Sequence, residues 1–190
     1  MVNILQLKIK LKGISPSIWR KFLVSDFWTF DKLHRIIQKV MGWENYHLFE
    51  FKLGNIRIVP PDEGYLEENE LDPKKVQIGQ YVDKEKQKFE YVYDFGDSWE
   101  HEIVVEKIAE DNIEDAGKYP QCIEGERACP KEDCGGVSGY ERFMIILKER
   151  KDPWGENVKE LKAWLGDWDP EKFDIKEVNK NLASSKGWRS

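Results

Sequence analysis

Residues 6–12 alternate strictly, with Leu5, Leu7, Ile9 and Leu11 on one face and Gln6, Lys8, Lys10 and Lys12 on the other. A period of two over this length predicts a half-buried strand. Residues 13–17, with Pro16, break it, and residues 18–24 read as a second strand. Phe30, Leu33, Ile37 and Val40 then recur at helical spacing. Thr29 is placed to cap that helix and Gly42 to stop it. Residues 47–53 read as a strand, and Gly54-Asn55 is a tight-turn signal leading into 56–59. Residues 60–73 are acidic, start with two prolines and read as a surface loop. Residues 76–82 fit neither period cleanly and read as one helical turn. Residues 88–93 and 101–108 are two more strands around the turn Phe95-Gly96-Asp97-Ser98.

The pattern changes after Glu110. Residues 111–136 show no clear periodicity. Ser138-Gly139-Tyr140-Glu141 has the form of a capping box, and Tyr140, Phe143, Met144 and Leu147 share one helix face. Asn157 opens a second helix through Val158, Leu161 and Leu165, ending at Gly166. Asp174 opens a third through Ile175, Val178 and Leu182. Asp152-Pro153 and Asp169-Pro170 separate these helices, because proline disfavours helix in the residue before it. Residues 183–190 read as a frayed tail. Strands first, with one early helix, and helices afterwards make an α+β arrangement. The expected fold is one mostly antiparallel sheet with an early helix and a helical C-terminal part. A single domain over 1–190 is expected, because residues 111–182 alone, a cysteine loop and short helices, make a thin core beside the sheet-rich 1–110.

Composition narrows the function classes. The chain has 190 residues, 13% of them aromatic, enough large apolar side chains to exclude global disorder. No apolar run approaches a membrane span, and the N-terminus is neither a signal nor a transit peptide, so the expected location is the cytoplasm. The charge is uneven. Residues 1–58 hold ten Lys and Arg against four Asp and Glu, whereas the remainder holds 20 against 32. An acidic whole argues against bulk nucleic-acid binding. Lys8, Lys10 and Lys12, with Arg20 and Lys21 on the neighbouring strand, still make a basic face that could meet phosphates.

All three cysteines, Cys122, Cys129 and Cys134, fall in one loop with spacing C-x₆-C-x₄-C. An odd count without a secretion signal argues against a disulfide framework. Two readings fit. Zinc could be held by the three thiolates with His101 as fourth donor, although the paired C-x₂-C of zinc ribbons is missing. Alternatively, three buried thiols act as small hydrophobes. No C-x-x-C motif supports a redox pair. The loop has few apolar residues of its own, so it is expected to lean on the hairpin that carries Phe95, Trp99 and His101. That hairpin, YVYDFGDSWEHE, gathers Asp94, Asp97, Glu100, His101 and Glu102. Its D-F-G letters lack the glycine-rich loop and catalytic loop of a kinase. Carboxylates beside a histidine can hold a divalent ion, and Asp and Gly are also ordinary turn residues. His34 and His47 read as lone histidines, packed or solvated.

The blocks LKGISPSIWR (11–20), MGWENYHLFEF (41–51), YDFGDSWEH (93–101), GERACPKEDCGGVSGY (125–140) and WLGDWDPEKFD (164–174) resemble the Ri-plasmid open-reading-frame-three-like family. The resemblance covers nearly the whole chain in order. It implies an association with plasmids and mobile elements and no particular reaction. It implies that Asp94, Asp97, His101, Glu126, Cys129, Glu132, Asp133 and Cys134 belong to the family's motif blocks. Where the family pattern reads H-L-H-E-F, this chain has Phe49 in place of the second histidine. The chain is therefore expected to be a binding or adaptor module, with the hairpin and the cysteine loop as its functional surface. A protein partner is expected rather than duplex DNA. The competing expectation is a metal-dependent enzyme, acting on nucleic acid, through Asp94, Asp97, His101, Glu126 and Asp133.

Overall fold

The computed structural model describes residues 2–112, 118–149 and 158–184. The Asp152-Pro153 break, the Asn157 helix start and the tail beyond residue 184 lie outside them. Among the described residues eight strands form one sheet: β1 (Val2–Leu11), β2 (Trp19–Ser25), β3 (Phe49–Leu53), β4 (Ile56–Ile58), β5 (Glu70–Leu71), β6 (Lys88–Tyr93), β7 (Trp99–Asp111) and β8 (Gln121–Glu126). The order across the sheet is β5-β4-β3-β6-β7-β1-β2-β8. Every pairing is antiparallel except that of β4 with β5. The helices are α1 (Phe30–Met41), α2 (Gly136–Glu149), α3 (Val158–Leu165) and α4 (Ile175–Ser184).

The α+β expectation holds, and the periodicities explain it. Leu5, Leu7, Ile9 and Leu11 are buried in one cluster with Phe30, Leu33 and Ile37 of α1. Burying each such side chain contributes about 1.5–3 kcal/mol. Thr29 Oγ1 accepts the N–H of Lys32 at 3.3 Å, and the N–H of Gly42 donates to the Gln38 carbonyl at 2.9 Å. Both ends of α1 are therefore closed by the residues that the sequence offers for it. Phe30 meets Phe51 of β3 edge to face, with ring centroids 5.1 Å apart, which ties the helix to the far half of the sheet.

Three expectations need correction. Residues 121–126 are a strand, β8, paired with β2, and not a part of an irregular loop. Its sequence shows no alternation because only Cys122 faces the core. Asn179 of α4 supplies the rest, accepting the Cys122 N–H at 2.9 Å and donating to its carbonyl at 2.8 Å. Next, α2 starts at Gly136, two residues before the Ser138 box. Last, the acidic segment 60–73 contains β5, so Glu70–Leu71 returns to the sheet edge. The turn expected at 76–82 is a single 3-10 turn, Ile78–Gln80.

Candidate functional site

His101 lies near the start of β7, opposite Tyr91 on one side and Leu11 on the other, and is fully buried. Its Nδ1 is 3.2 Å from the Tyr91 carbonyl, and its ring meets Trp43 edge-on. Burial lowers its pKa to about 3, so the ring is neutral. The thiols are buried in separate places. Cys122 Sγ faces the Glu124 carbonyl at 3.6 Å; Cys129 Sγ lies 3.7 Å from Met41 Sδ and 3.5 Å from Arg20 Nη2; Cys134 Sγ is 3.9 Å from the Gly136 carbonyl. Burial raises the thiol pKa to about 11 at Cys122 and about 12 at Cys134, and raises that of Cys129 as well. No three of these four donors come within 4.8 Å of one another. The Cys₃His zinc geometry is thus not formed among the described residues: β8 carries Cys122 into the sheet, and each thiol has its own nearest neighbours.

The cysteine loop does lean on the hairpin. Asp97 Oδ2 accepts the Gly135 N–H at 3.1 Å. A Cβ on Gly136 would lie 2.5 Å from the Asp97 carbonyl oxygen, so the two backbones touch where only glycine fits. Tyr93, the last residue of β6, joins three segments through one hydroxyl. It accepts the Tyr46 N–H at 3.0 Å and donates to Glu132 Oε1 at 2.5 Å. The Glu44 N–H reaches the same carboxylate oxygen at 3.2 Å, and Trp43 Nε1 donates to the Pro130 carbonyl at 2.9 Å. Burial and the Glu132 charge hold the Tyr93 phenol well above its ordinary pKa, so it remains a donor.

Inside this junction stands a group that no spacing rule would find. Among the described residues, His47, Asp94 and Asp133 are the one set of three or more potential metal ligands with donor atoms within 4.8 Å of one another. His47 Nε2 lies 3.1 Å from Asp133 Oδ1 and 3.6 Å from Asp94 Oδ2. Adjacent ligands around an octahedral ion with bonds of about 2.1 Å are about 3.0 Å apart. Asp94 (φ 57°) and Asp133 (φ 58°) both have left-handed backbone, which Asp tolerates better than most residues. The Ser98 N–H closes the Asp94 turn onto the Asp94 carbonyl at 2.6 Å, and the Gly96 N–H takes Asp94 Oδ1 at 2.9 Å. Oδ2 is thereby left for His47. His47 Nε2 is shut off from water and makes no hydrogen bond of good geometry, although the two carboxylates flank it. A divalent cation between the three groups would give all of them a partner. A cavity of about 350 Å³ opens beside it, walled by Trp43, Tyr46, Glu132, Asp133, Trp164 and Trp168.

Two of the expected site carboxylates, Asp94 and Asp133, thus come together, and the others do not join them. Asp97 is used by Gly135. Glu126, on β8, accepts the Trp19 Nε1–H at 2.9 Å. The missed residue is His47, whose partners lie 47 and 86 positions away along the chain. Phe49, the departure from the family pattern, stacks on His34 at 3.5 Å in the core. His34 itself is structural, with Nδ1 2.8 Å from the Tyr91 hydroxyl and Nε2 2.5 Å from Asn45 Oδ1.

Much of the basic face is engaged by its neighbours, although Lys10 remains exposed. Lys12 pairs with Glu90 and Glu100, Lys21 with Glu106 and Glu124, and Lys8 lies over the Trp19 ring. Arg20 is buried, and its guanidinium is taken up by the carbonyls of Val40, Trp19, Glu126 and Arg127. Among the described residues no helix is long and apolar enough to cross a membrane.

Comparison with known proteins agrees with the resemblance read from the motif blocks. A family model described as "Plasmid pRiA4b ORF-3-like protein" matches residues 3–177. An uncharacterised protein of Sinorhizobium fredii, y4hQ, is 32% identical over 184 residues, covering 95% of this chain and 91% of that protein. The crystal structure of a protein of unknown function, MM3350 from Methanosarcina mazei Go1, is 38% identical, with a TM-score of 0.79 over 94% of this chain and 98% of that one.

Proposed function

We propose that this chain, which belongs to the plasmid pRiA4b ORF-3-like family, is a binding module whose recognition surface is organised by a divalent cation at His47, Asp94 and Asp133. The observation that carries this reading is the convergence of one imidazole nitrogen and two carboxylates at separations of 3.1 and 3.6 Å. One nitrogen and two oxygens suit a first-row divalent ion such as manganese or zinc. The side chain of Asp94 is 10% exposed and belongs to the hairpin, whereas that of Asp133 is 72% exposed and belongs to the cysteine loop. A cation shared between them ties the loop to the hairpin and fixes the surface that a partner meets. Mutual repulsion of the two carboxylates falls at the same time.

The experiment is metal titration of the chelator-stripped protein by calorimetry, with zinc, manganese and magnesium as probes. One site per chain is expected. His47→Ala and Asp133→Asn should each weaken it at least about tenfold, whereas Cys129→Ser should leave it unchanged. Loss of metal in Cys129→Ser with retention in His47→Ala reverses the assignment. One observation favours the metal-dependent enzyme as a second reading: three protein donors leave coordination positions for water or substrate. Metal-dependent phosphodiester hydrolysis that disappears in Asp133→Asn would select it.

A further inference from the structure

Residues 60–73 carry six carboxylates and neither lysine nor arginine. Beside them lies an apolar groove of about 590 Å³. Tyr65, Leu48, Phe95 and Leu66, exposed by 80, 62, 47 and 38%, all line it, on a floor that includes Pro60 and Pro61. Scattered apolar residues on a surface are ordinary; four large ones gathered in one concavity mark an interaction site.

The groove is stiff. Asp62 and Tyr65 exchange both backbone hydrogen bonds, at 3.1 and 2.8 Å, around Glu63 and Gly64. Those two central residues have φ of 45° and 88°, as a tight hairpin turn requires. The turn thus holds the Tyr65 ring out in water. Backbone bonds from Arg57 to Asn69 (2.9 Å) and from Val59 to Leu71 (3.0 Å) anchor the segment to the sheet edge. Little conformational freedom remains to be lost when something binds.

Its charge is one-sided. The lining cation, Arg57, is held by Glu50 at 2.8 Å and Glu70 at 2.5 Å. Asp62, Glu63 and Glu67 on the rim make no ion pair among the described residues. An occupant must therefore supply apolar bulk for the floor and positive charge for the rim. A phosphate backbone would be repelled.

We propose that this groove docks a peptide segment of a partner protein in which Lys or Arg flanks one or two large apolar side chains. The groove adjoins His47 and Asp94 through their neighbours Leu48 and Phe95 but uses neither, so the inference stands apart from the cation reading. The test is panning of a random dodecapeptide display library against the full chain, followed by fluorescence anisotropy with the strongest selected peptide. Basic residues flanking Leu, Phe or Trp are expected in the consensus. Tyr65→Ala and the double variant Glu63→Lys, Glu67→Lys should each weaken binding about tenfold or more, and high salt should weaken it as well. These positions are exposed, so thermal melting should show both variants folded. Chelator should leave affinity unchanged; loss of binding under it places the peptide on the cation site and overturns the groove. An acidic consensus, no consensus, or an affinity indifferent to the groove variants also overturns it. So does a concentration-dependent dimer in sedimentation that the Tyr65 variant dissolves, because the occupant is then a second copy of the chain.

Discussion

Replacing Gly136 by alanine tests whether the hairpin and the cysteine loop form one junction, and Gly54→Ala supplies the control. Both glycines have left-handed backbone, with φ of 67° and 62°. Alanine there costs about 1 kcal/mol, reduced by roughly 0.5 kcal/mol because the unfolded chain also loses freedom. At Gly54 nothing lies within 4 Å of the added Cβ, so that small net cost is the whole effect. At Gly136 the Cβ would lie 2.5 Å from the Asp97 carbonyl oxygen, which is backbone and cannot rotate away. The hairpin must move off, and the Gly135 N–H loses its Asp97 acceptor. That exposed hydrogen bond contributes about 1 kcal/mol, and the displaced packing adds a similar amount. The expected destabilisation is about 2–3 kcal/mol for Gly136→Ala against about 0.5–1 kcal/mol for Gly54→Ala. For a chain of this length the former lowers Tm by roughly 5–10 °C. Urea unfolding followed by tryptophan fluorescence measures both, because Trp43 and Trp99 lie beneath the junction. Equal losses in the two variants would refute the reasoning.

Acidification should weaken the fold well before the carboxylates titrate. His34 and His101 are held neutral by burial, with pKa lowered from 6.5 to about 4 and about 3. The unfolded chain therefore binds up to two more protons as pH falls below about 6.5, and stability declines with it. The urea midpoint should drop between pH 7 and 5, and a flat midpoint there would contradict the assignment. The three thiols should react with a disulfide reagent at least about 100-fold more slowly in the folded protein than in urea, because burial suppresses both access and the thiolate. A single thiol reacting at the unfolded rate would show an open site. Duplex DNA should bind no better than micromolar at physiological salt, and Lys8, Lys10 and Lys12 to Ala should change nothing, because Lys12 already pairs with Glu90 and Glu100. Submicromolar binding abolished by that triple change would restore the basic face as an interface.

Elements that bury one side chain in two, or three to four in seven, were legible from sequence. The first strand, α1 with Thr29 and Gly42 at its ends, and the β6–β7 hairpin all carry such a period. β8 carries none, because pairing with β2 and the Asn179 side chain hold it rather than its own apolar face. The cysteines drew attention by their chemistry, yet their close spacing along the chain hid that each is buried as an apolar side chain and that they do not converge with His101. His47 had the opposite fate. A single histidine between Tyr46 and Leu48 carries no signal, since its partners come from a turn and a loop that only the tertiary fold brings to it.

The position of the first strand has a consequence for synthesis. β1 lies between β2 and β7, so its second partner is made about 90 residues after it. At about 5–20 residues per second that interval is roughly 5–20 s. Throughout it the β1–β2 ribbon presents an unpaired edge, the kind of template on which nascent chains aggregate. Lys8, Lys10 and Lys12 line the outward face of that strand, and the later partners of Lys12, Glu90 and Glu100, have not yet been made. For those seconds the three lysines are unneutralised charges guarding an open edge, and Lys12 becomes an ordinary ion pair only when β6 and β7 join the sheet.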